Sequence, residues 1–486
     1  MQERSVPGEQ QRIQRREFLR SAAVAVGMAG VVSSGTEAGR YGAAAATTTR
    51  PNLVVLLTDD HRWDAMGCAG NEIVQTPNMD RLAAEGVRFT NCFATTAICM
   101  ASRASILTGM YVTTHGIEDF ARPFSPELFA LTHPAQLRAA GYYTGFVGKW
   151  GVGNVMPAEA FDYWDGFPGQ GKYFQEVNGQ TRHLESLLGE SACRAIAGAP
   201  GDKPFCLSVS FKAPHVQDED PRQYLYDPEL EPLYQDVEIP APMTADPKYF
   251  AALPKFVQES EGRRRWEKRF ATPEMYQRSV KGYYRLVTGA DRAIGRILEA
   301  LETKGVLENT VIVFSSDNGI MNGEHGLAGK WLMYEESIRL PLIVRDPRMD
   351  ADKRGKTVEA MALNIDLSPT LLELAGVPKP DGVQGKSLMP LVRGETPEWR
   401  TEFFYEHHFG SKNRAVPIPA VEGVRTEDWK YARYIDEEPL YEELYHVRSD
   451  TKEQVNLAGS PEHGAELKEM REKWRIWRDQ VRPLAT

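Results

Sequence analysis

Short clusters of reactive side chains stand out along this 486-residue chain. Asp59-Asp60 and Asp317-Asn318 each close an apolar run, Asn52 to Thr58 and Thr310 to Ser316. All four are oxygen ligands, the donor set that a hard divalent cation prefers. Three carboxylates crowded at one edge would repel each other unless a cation lay between them. An Asp after a strand also caps turns, so either pair alone fits both uses; two such pairs, each ending a buried strand, point to metal. Cys99 has arginine four residues on, at Arg103. Ala101 to Gly109 reads as a helix start with a glycine stop, which puts Cys99 near a helix N-terminus, where N–H groups and the helix dipole favour anions. Arg103 then faces the same side and can neutralise a developing oxyanion. A buried free cysteine otherwise acts as a small apolar side chain.

Cys99-Met100-Ala101-Ser102-Arg103 resembles the maturation signature of the formylglycine-dependent sulfatases, Cys-x-Pro/Ala-x-Arg. Thr76 to Ala83 and Gly86 to Asn91 lead into it and Ala104 to Gly109 follows; the whole block resembles the signature region of that family, and the resemblance runs almost to the C-terminus. It implies an alkaline phosphatase-like fold and oxidation of Cys99 to an aldehyde. One hydroxyl of the aldehyde hydrate attacks sulfur, and the second later expels sulfate. It also implies calcium, or magnesium, on Asp59, Asp60, Asp317 and Asn318 together with residue 99. Lys149 and Lys330, in the runs Gly148-Lys149-Trp150 and Gly323 to Lys330, match sulfate clamps, and His215 matches the residue that protonates the leaving group. The blocks from Glu324 to Pro341 and at the C-terminus look closest to glycan sulfatases, implying a sulfated carbohydrate as substrate. One position departs from the pattern. Where the family places a histidine after Gly-Lys-Trp, this chain has Gly151. His115 is the expected surrogate base; the alternatives are metal-bound hydroxide and slow turnover.

The elements that must position these groups are legible as an α/β pattern. Asn52–Thr58, Thr310–Ser316, Tyr143–Val147 and Pro204–Phe211 read as strands, and each runs out into one of the polar clusters. Met79–Glu85, Pro134–Ala140 and Tyr283–Lys304 read as helices, the last with apolar residues at a helical period. Alternating strands and helices predict a largely parallel sheet flanked by helices, which binds ligands beyond the carboxyl ends of its strands. Residues 216–273, with the basic run Arg263-Arg264-Arg265, read as an irregular insertion, either a source of substrate contacts or a solvated connector. Short strands at Thr401–Glu406, Val421–Arg425 and Trp429–Tyr434, then a helical tail from Glu466, predict a small C-terminal antiparallel sheet-and-helix domain. The expected organisation is an export signal over 1–46, a catalytic domain over 47–392 and a C-terminal subdomain over 393–486.

Hydrophobic residues at 42% and charged residues at 26% are ordinary globular values. A net charge of -10 argues against nucleic acid as a partner, but not against an anionic substrate met by a local cluster of cations. The five cysteines form no CxxC pair, which indicates neither a zinc site nor a dense disulfide framework and leaves room for one disulfide among Cys68, Cys92, Cys193 and Cys206. Arg15-Arg16 followed by Phe18-Leu19 and a weakly apolar run resembles a twin-arginine export signal. It implies export machinery as a partner, a maturation enzyme acting on Cys99 before export, and a periplasmic or secreted product. The run is too short to anchor the chain in a bilayer. Two other readings keep the same site: a phosphodiesterase or phosphonate monoester hydrolase, and a sulfated-glycan binding protein without turnover.

Overall fold

Asn52–Asp59 forms strand β1 with every residue buried, as a continuous apolar run requires when a sheet is covered on both faces. The computed structural model describes residues 50–410 and 415–484; the export signal read at Arg15-Arg16 lies outside the described residues. β1 is central in a nine-stranded sheet with β2 (Val87–Phe93), β3 (Tyr143–Lys149), β4 (Tyr163–Phe167), β5 (Phe205–Pro214), β6 (Thr310–Ser316), β7 (Arg339–Arg345) and β8 (Lys356–Val358). The order is β8-β2-β7-β6-β1-β5-β3-β4, and Ala362–Leu363 pairs beside β2 as the ninth strand. All run parallel except β7, which is antiparallel to both neighbours. Alternation along β1 supplies both faces. Leu53, Val55 and Leu57 pack with Ile106 of helix α1 (Cys99–Thr108) and Leu371 of α5 (Leu367–Leu374). Val54 and Leu56 pack on the other side with helices α2 (Leu184–Gly198) and α4 (Pro273–Thr303).

α4 begins ten residues before the apolar period becomes visible. Thr272 caps it, its Oγ1 accepting the Met275 N–H at 3.2 Å, and Pro273 follows at the first helical position, a pairing that suits a helix start. The insertion is more ordered than its composition implies. It carries the helices Pro247–Ala252, Lys255–Gln258 and α3 (Glu261–Arg269). In α3, Arg264 and Arg265 bond back to Glu261, at the spacings where helical side chains meet.

The C-terminal sheet is an antiparallel meander of β9 (Glu402–His407), β10 (Val421–Thr426), β11 (Trp429–Tyr434) and β12 (Tyr441–His446), with helix α6 (Gly464–Gln480) against it. Its core residues Phe403, Tyr405, Val424 and Leu444 form one cluster with Phe93 of β2 and with Leu332 and Tyr334. All five cysteines are free, so no disulfide forms. Among the described residues no helix is long and apolar enough to cross a membrane.

Candidate active site

Strand register assembles the site. Thr58 pairs with Ser316 across β1 and β6, so Asp59-Asp60 and Asp317-Asn318 leave adjacent strands at the same level. Ser210 of β5 pairs with Leu57 and with Gly148, which brings the end of β3, and hence Lys149, to that level too. Cys99 is the first residue of α1, after Ile98 in extended conformation, and the helix ends at Gly109 with φ +73°. The expected placement of Cys99 at a helix N-terminus is what the structure has.

Asp59, Asp60, Cys99 and His215 each offer a ligand atom within 4.8 Å of the others, and all four are buried. Cys99 Sγ lies 3.4 Å from Asp59 Oδ1 and receives Lys330 Nζ at 3.1 Å. Lys330 also donates to Asp60, and Lys149 donates to Asp59 and to Gln170 Oε1 at 2.7 Å. Arg103 bridges the carboxylates, Nε to Asp317 Oδ2 at 2.9 Å and an Nη to Asp59 Oδ2 at 3.3 Å, while its other Nη reaches the Lys149 carbonyl at 3.0 Å. His215 Nε2 is 3.6 Å from Asp60 Oδ2, and its Nδ1 donates to the Val216 carbonyl at 2.6 Å. That bond to a carbonyl fixes the tautomer.

Three buried carboxylates thus meet three buried cations. Burial pushes the Asp59 carboxyl up, but Lys149, His215, Arg103 and Lys330 outweigh it and hold it well below the usual carboxylate range. Asp317 goes the other way, to about 6, through burial and the charge of Asp59. Burial drives His215 well below the usual imidazole range. Burial and the Asp59 charge push the Cys99 thiol up to about 12; at neutral pH it is protonated and a poor nucleophile.

The donor set fits a hard cation. The Asn318 amide nitrogen donates to Asp60 Oδ1, yet its own Oδ1 is buried and has no partner. Buried acceptors ordinarily find a partner, and an amide oxygen beside two carboxylates is a ligand type that hard cations take.

His115 is not brought to this cluster. Its Nδ1 accepts the Ile117 N–H at 3.0 Å and its Nε2 pairs with Ser105 Oγ at 3.0 Å, so both ring nitrogens are engaged beside α1. Burial lowers it to about 3. These bonds hold the expected surrogate base beside α1, outside the group formed by Asp59, Asp60, Cys99 and His215. Gly151 has its own reason. Its φ is +76°, and a Cβ there would lie 2.5 Å from Arg103 Cδ, so a histidine does not fit where Arg103 now lies.

Several supporting groups are not legible in the sequence. Ser210 Oγ bonds Arg103 and the Lys149 carbonyl, Ser102 Oγ bonds the Asp317 carbonyl, and Tyr283 OH donates to the Asp60 carbonyl at 3.0 Å. Ser208 and Ser210, alternating inside an apolar strand, are the available signal for the first; Tyr283 is hidden in a helix.

Residues 51–377 match the sulfatase family model, and residues 323–480 match a model described as N-sulphoglucosamine sulphohydrolase, C-terminal. The chain is 32% identical to an N-acetylglucosamine-6-O-sulfatase of Bacteroides thetaiotaomicron, over 87% of this chain and 85% of that one. It is 31% identical to an ulvan-active sulfatase of Formosa agariphila, over 85% and 78%. A solved structure of a protein in complex with its substrate D-glucosamine-2-N,6-O-disulfate superposes with TM-score 0.76 at 30% identity, over 89% of this chain and 98% of that one. A phosphonate monoester hydrolase of Agrobacterium radiobacter shares the fold, with TM-score 0.74 at 22% identity over 89% and 96%. With a thiol, three carboxylates and paired lysines gathered at one strand edge, the chain belongs to the sulfatase family and is a sulfuric ester hydrolase.

Proposed function

We propose that this sulfatase removes sulfate from a sulfated carbohydrate, with residue 99 matured from cysteine to formylglycine. The observation that carries the substrate class is likeness along most of the chain to an N-acetylglucosamine-6-O-sulfatase and to an ulvan-active sulfatase. The run Cys99-Met100-Ala101-Ser102-Arg103 at the start of α1, with Cys99 held between Asp59 and Lys330, supports maturation. As formylglycine, residue 99 supplies a hydrated aldehyde as nucleophile. Asp59, Asp60, Asp317 and Asn318, with residue 99, would hold calcium, which supplies Lewis acidity toward the sulfate oxygens.

The remaining work falls to this chain's own side chains. Arg103 fixes the two carboxylates Asp59 and Asp317 in place and sets positive charge beside residue 99. Lys149 and Lys330 supply the charge that an anionic sulfate needs, each already donating to a carboxylate at the edge and sharing its remaining N–H donors with substrate. His215, with its Nδ1 hydrogen on Val216, presents Nε2 as an acceptor, which must first take up a proton before passing it to the departing alcohol. Maturation in the cytoplasm and export by the twin-arginine route, to the periplasm or medium, complete the reading.

A panel of defined sulfated saccharides, set beside aryl phosphonates and phosphate diesters, tests it. Sulfate release from at least one 6-O-sulfated amino sugar, faster than turnover of any phosphorus ester, is expected. Faster turnover of the phosphorus esters would contradict it.

A further inference from the structure

The basic run in the insertion packs beside the segment that carries Lys330. α3 carries Arg263, Arg264, Arg265, Lys268 and Arg269 against Glu261 and Glu267. Arg265 and Arg269, four residues apart, share a face. That face packs near Ala328-Gly329, directly ahead of Lys330: a Cβ at Gly329 would lie 3.6 Å from Arg265 Cδ. The Arg265 guanidinium sits over the Trp331 ring, 5.0 Å from its centroid. Trp331 itself has φ +83°, which strains a bulky residue. The corner that holds Lys330 is thus fixed at a conformational cost, under an arginine.

Arg269 is the more telling of the two. Its side chain is 1% exposed; Nε donates to Gln223 Oε1 at 3.0 Å and one Nη to Asp218 Oδ1 at 2.8 Å. Its other Nη is buried without a partner, and so is the hydroxyl of Tyr224. The Tyr224 ring packs edge-on to Tyr283, centroids 6.1 Å apart, and the Tyr283 hydroxyl donates to the Asp60 carbonyl at 3.0 Å, which ties this corner to the carboxylate edge. Gln223, the residue that orients Arg269, has φ +64°, another strained position. Asp218 is the one carboxylate shared by Arg265 and Arg269, at 3.2 and 2.8 Å, and it is 43% exposed. Buried donors without acceptors are costly unless something else fills them.

We infer that Arg265 and Arg269, with the Tyr224 hydroxyl, form a subsite for a second anionic group of the substrate, a sulfate or carboxylate near the scissile sulfate ester. An arginine fork matches the planar or tetrahedral oxygens of such a group. The inference rests on the carbohydrate sulfatase reading and names the class of sugar it takes.

The test compares kcat/KM across 6-O-sulfated glucosamines bearing no second charge, an N-sulfate, a 3-O-sulfate or an adjoining uronate. The unsubstituted enzyme should favour at least one doubly charged member by about 10-fold or more, the scale of a charge-assisted hydrogen bond. In Arg269→Gln and in Arg265→Gln that preference should fall toward one. The Arg265 side chain is 15% exposed, so Arg265→Gln decides the matter if the Arg269 variant fails to fold. No preference in the unsubstituted enzyme, or a preference kept in Arg265→Gln, overturns the subsite. If none of the sugars is hydrolysed, the carbohydrate reading falls; the same ratio, measured on 4-nitrophenyl sulfate with and without a ring carboxylate, then decides the subsite.

Discussion

Two regions of this molecule bury a knot of charges. At the sheet edge Asp59, Asp60 and Asp317 meet Arg103, Lys149 and Lys330. Against the C-terminal sheet, Glu335 accepts from Arg425 and Lys430 at 3.3 Å each, Lys430 also pairs with Glu453, and Glu443 receives the hydroxyls of Tyr334 and Tyr434 at 3.3 and 3.2 Å. Taking an ion out of water costs several kcal/mol in either place. The two knots nevertheless differ in what they leave open. The first contains a thiol and an unfilled amide oxygen at Asn318, and its carboxylates share donors that substrate can claim. The second is covered by tyrosines, has its Glu335 N–H bonded to Glu453 at 2.8 Å, and contains, among the described residues, no thiol or amide oxygen. Buried charge by itself does not mark a catalytic site; unsatisfied polar groups beside a reactive side chain are the better sign.

Substitutions at the two knots should therefore separate cleanly. Asp317→Ala deletes a carboxylate from a site with few ligands to spare. It should remove the metal and lower kcat/KM by on the order of 10³-fold, the scale of losing an electrostatic stabiliser of the transition state. Elemental analysis beside the rate assay checks both, and full activity of this variant after chelation would break the contrast. Lys430→Met leaves Glu453 without its cation and Glu335 with Arg425 alone, so it should cost about 3–5 kcal/mol in urea unfolding. Metal content should stay as it was; a loss of metal at Lys430→Met would merge the two knots.

The same contrast explains what is legible in the sequence. Each oxygen-donor pair at the edge is contiguous and ends an apolar run, so strand ends and local spacing suffice to find Asp59-Asp60 and Asp317-Asn318. Cys99 and Arg103 lie within one helix and are equally readable. The interface knot draws on Glu335, Arg425, Lys430, Glu443 and Glu453, which only the docking of β9–β12 brings together, and no local pattern foretells it. Strands β2 and β7 stay hidden for a related reason. They mix Arg, Thr and Asn, or include a proline, and their pairing is long-range. His115 shows the opposite failure: nearness in sequence to Cys99 does not bring it to the cluster, because it bonds Ser105 and Ile117.

Two smaller effects sharpen the picture. Burial raises Glu443 to about 7. The folded state then binds its proton more tightly than the unfolded chain, so this group's contribution falls as pH rises from the ordinary carboxylate range through about 7. Glu443→Gln should accordingly gain roughly 1–3 kcal/mol over the parent as pH rises across that window. Denaturant midpoints at several pH values measure it, and a pH-independent difference would contradict the assignment. His115→Ala should cost about 1–2 kcal/mol of stability through the partners it leaves. It should produce no burst of released alcohol under rapid mixing; a burst followed by slow turnover would restore His115 as a base.

The central claim is that the edge works through a matured residue 99 and not through a thiol. Mass spectrometry of the peptide containing residue 99, across preparations made with and without a formylglycine-generating enzyme, tests it most directly when paired with kcat on one sulfate ester. The fraction of aldehyde at residue 99 should track specific activity in proportion, with Cys99→Ala inactive but folded. Full activity in a preparation whose residue 99 is entirely thiol would contradict it.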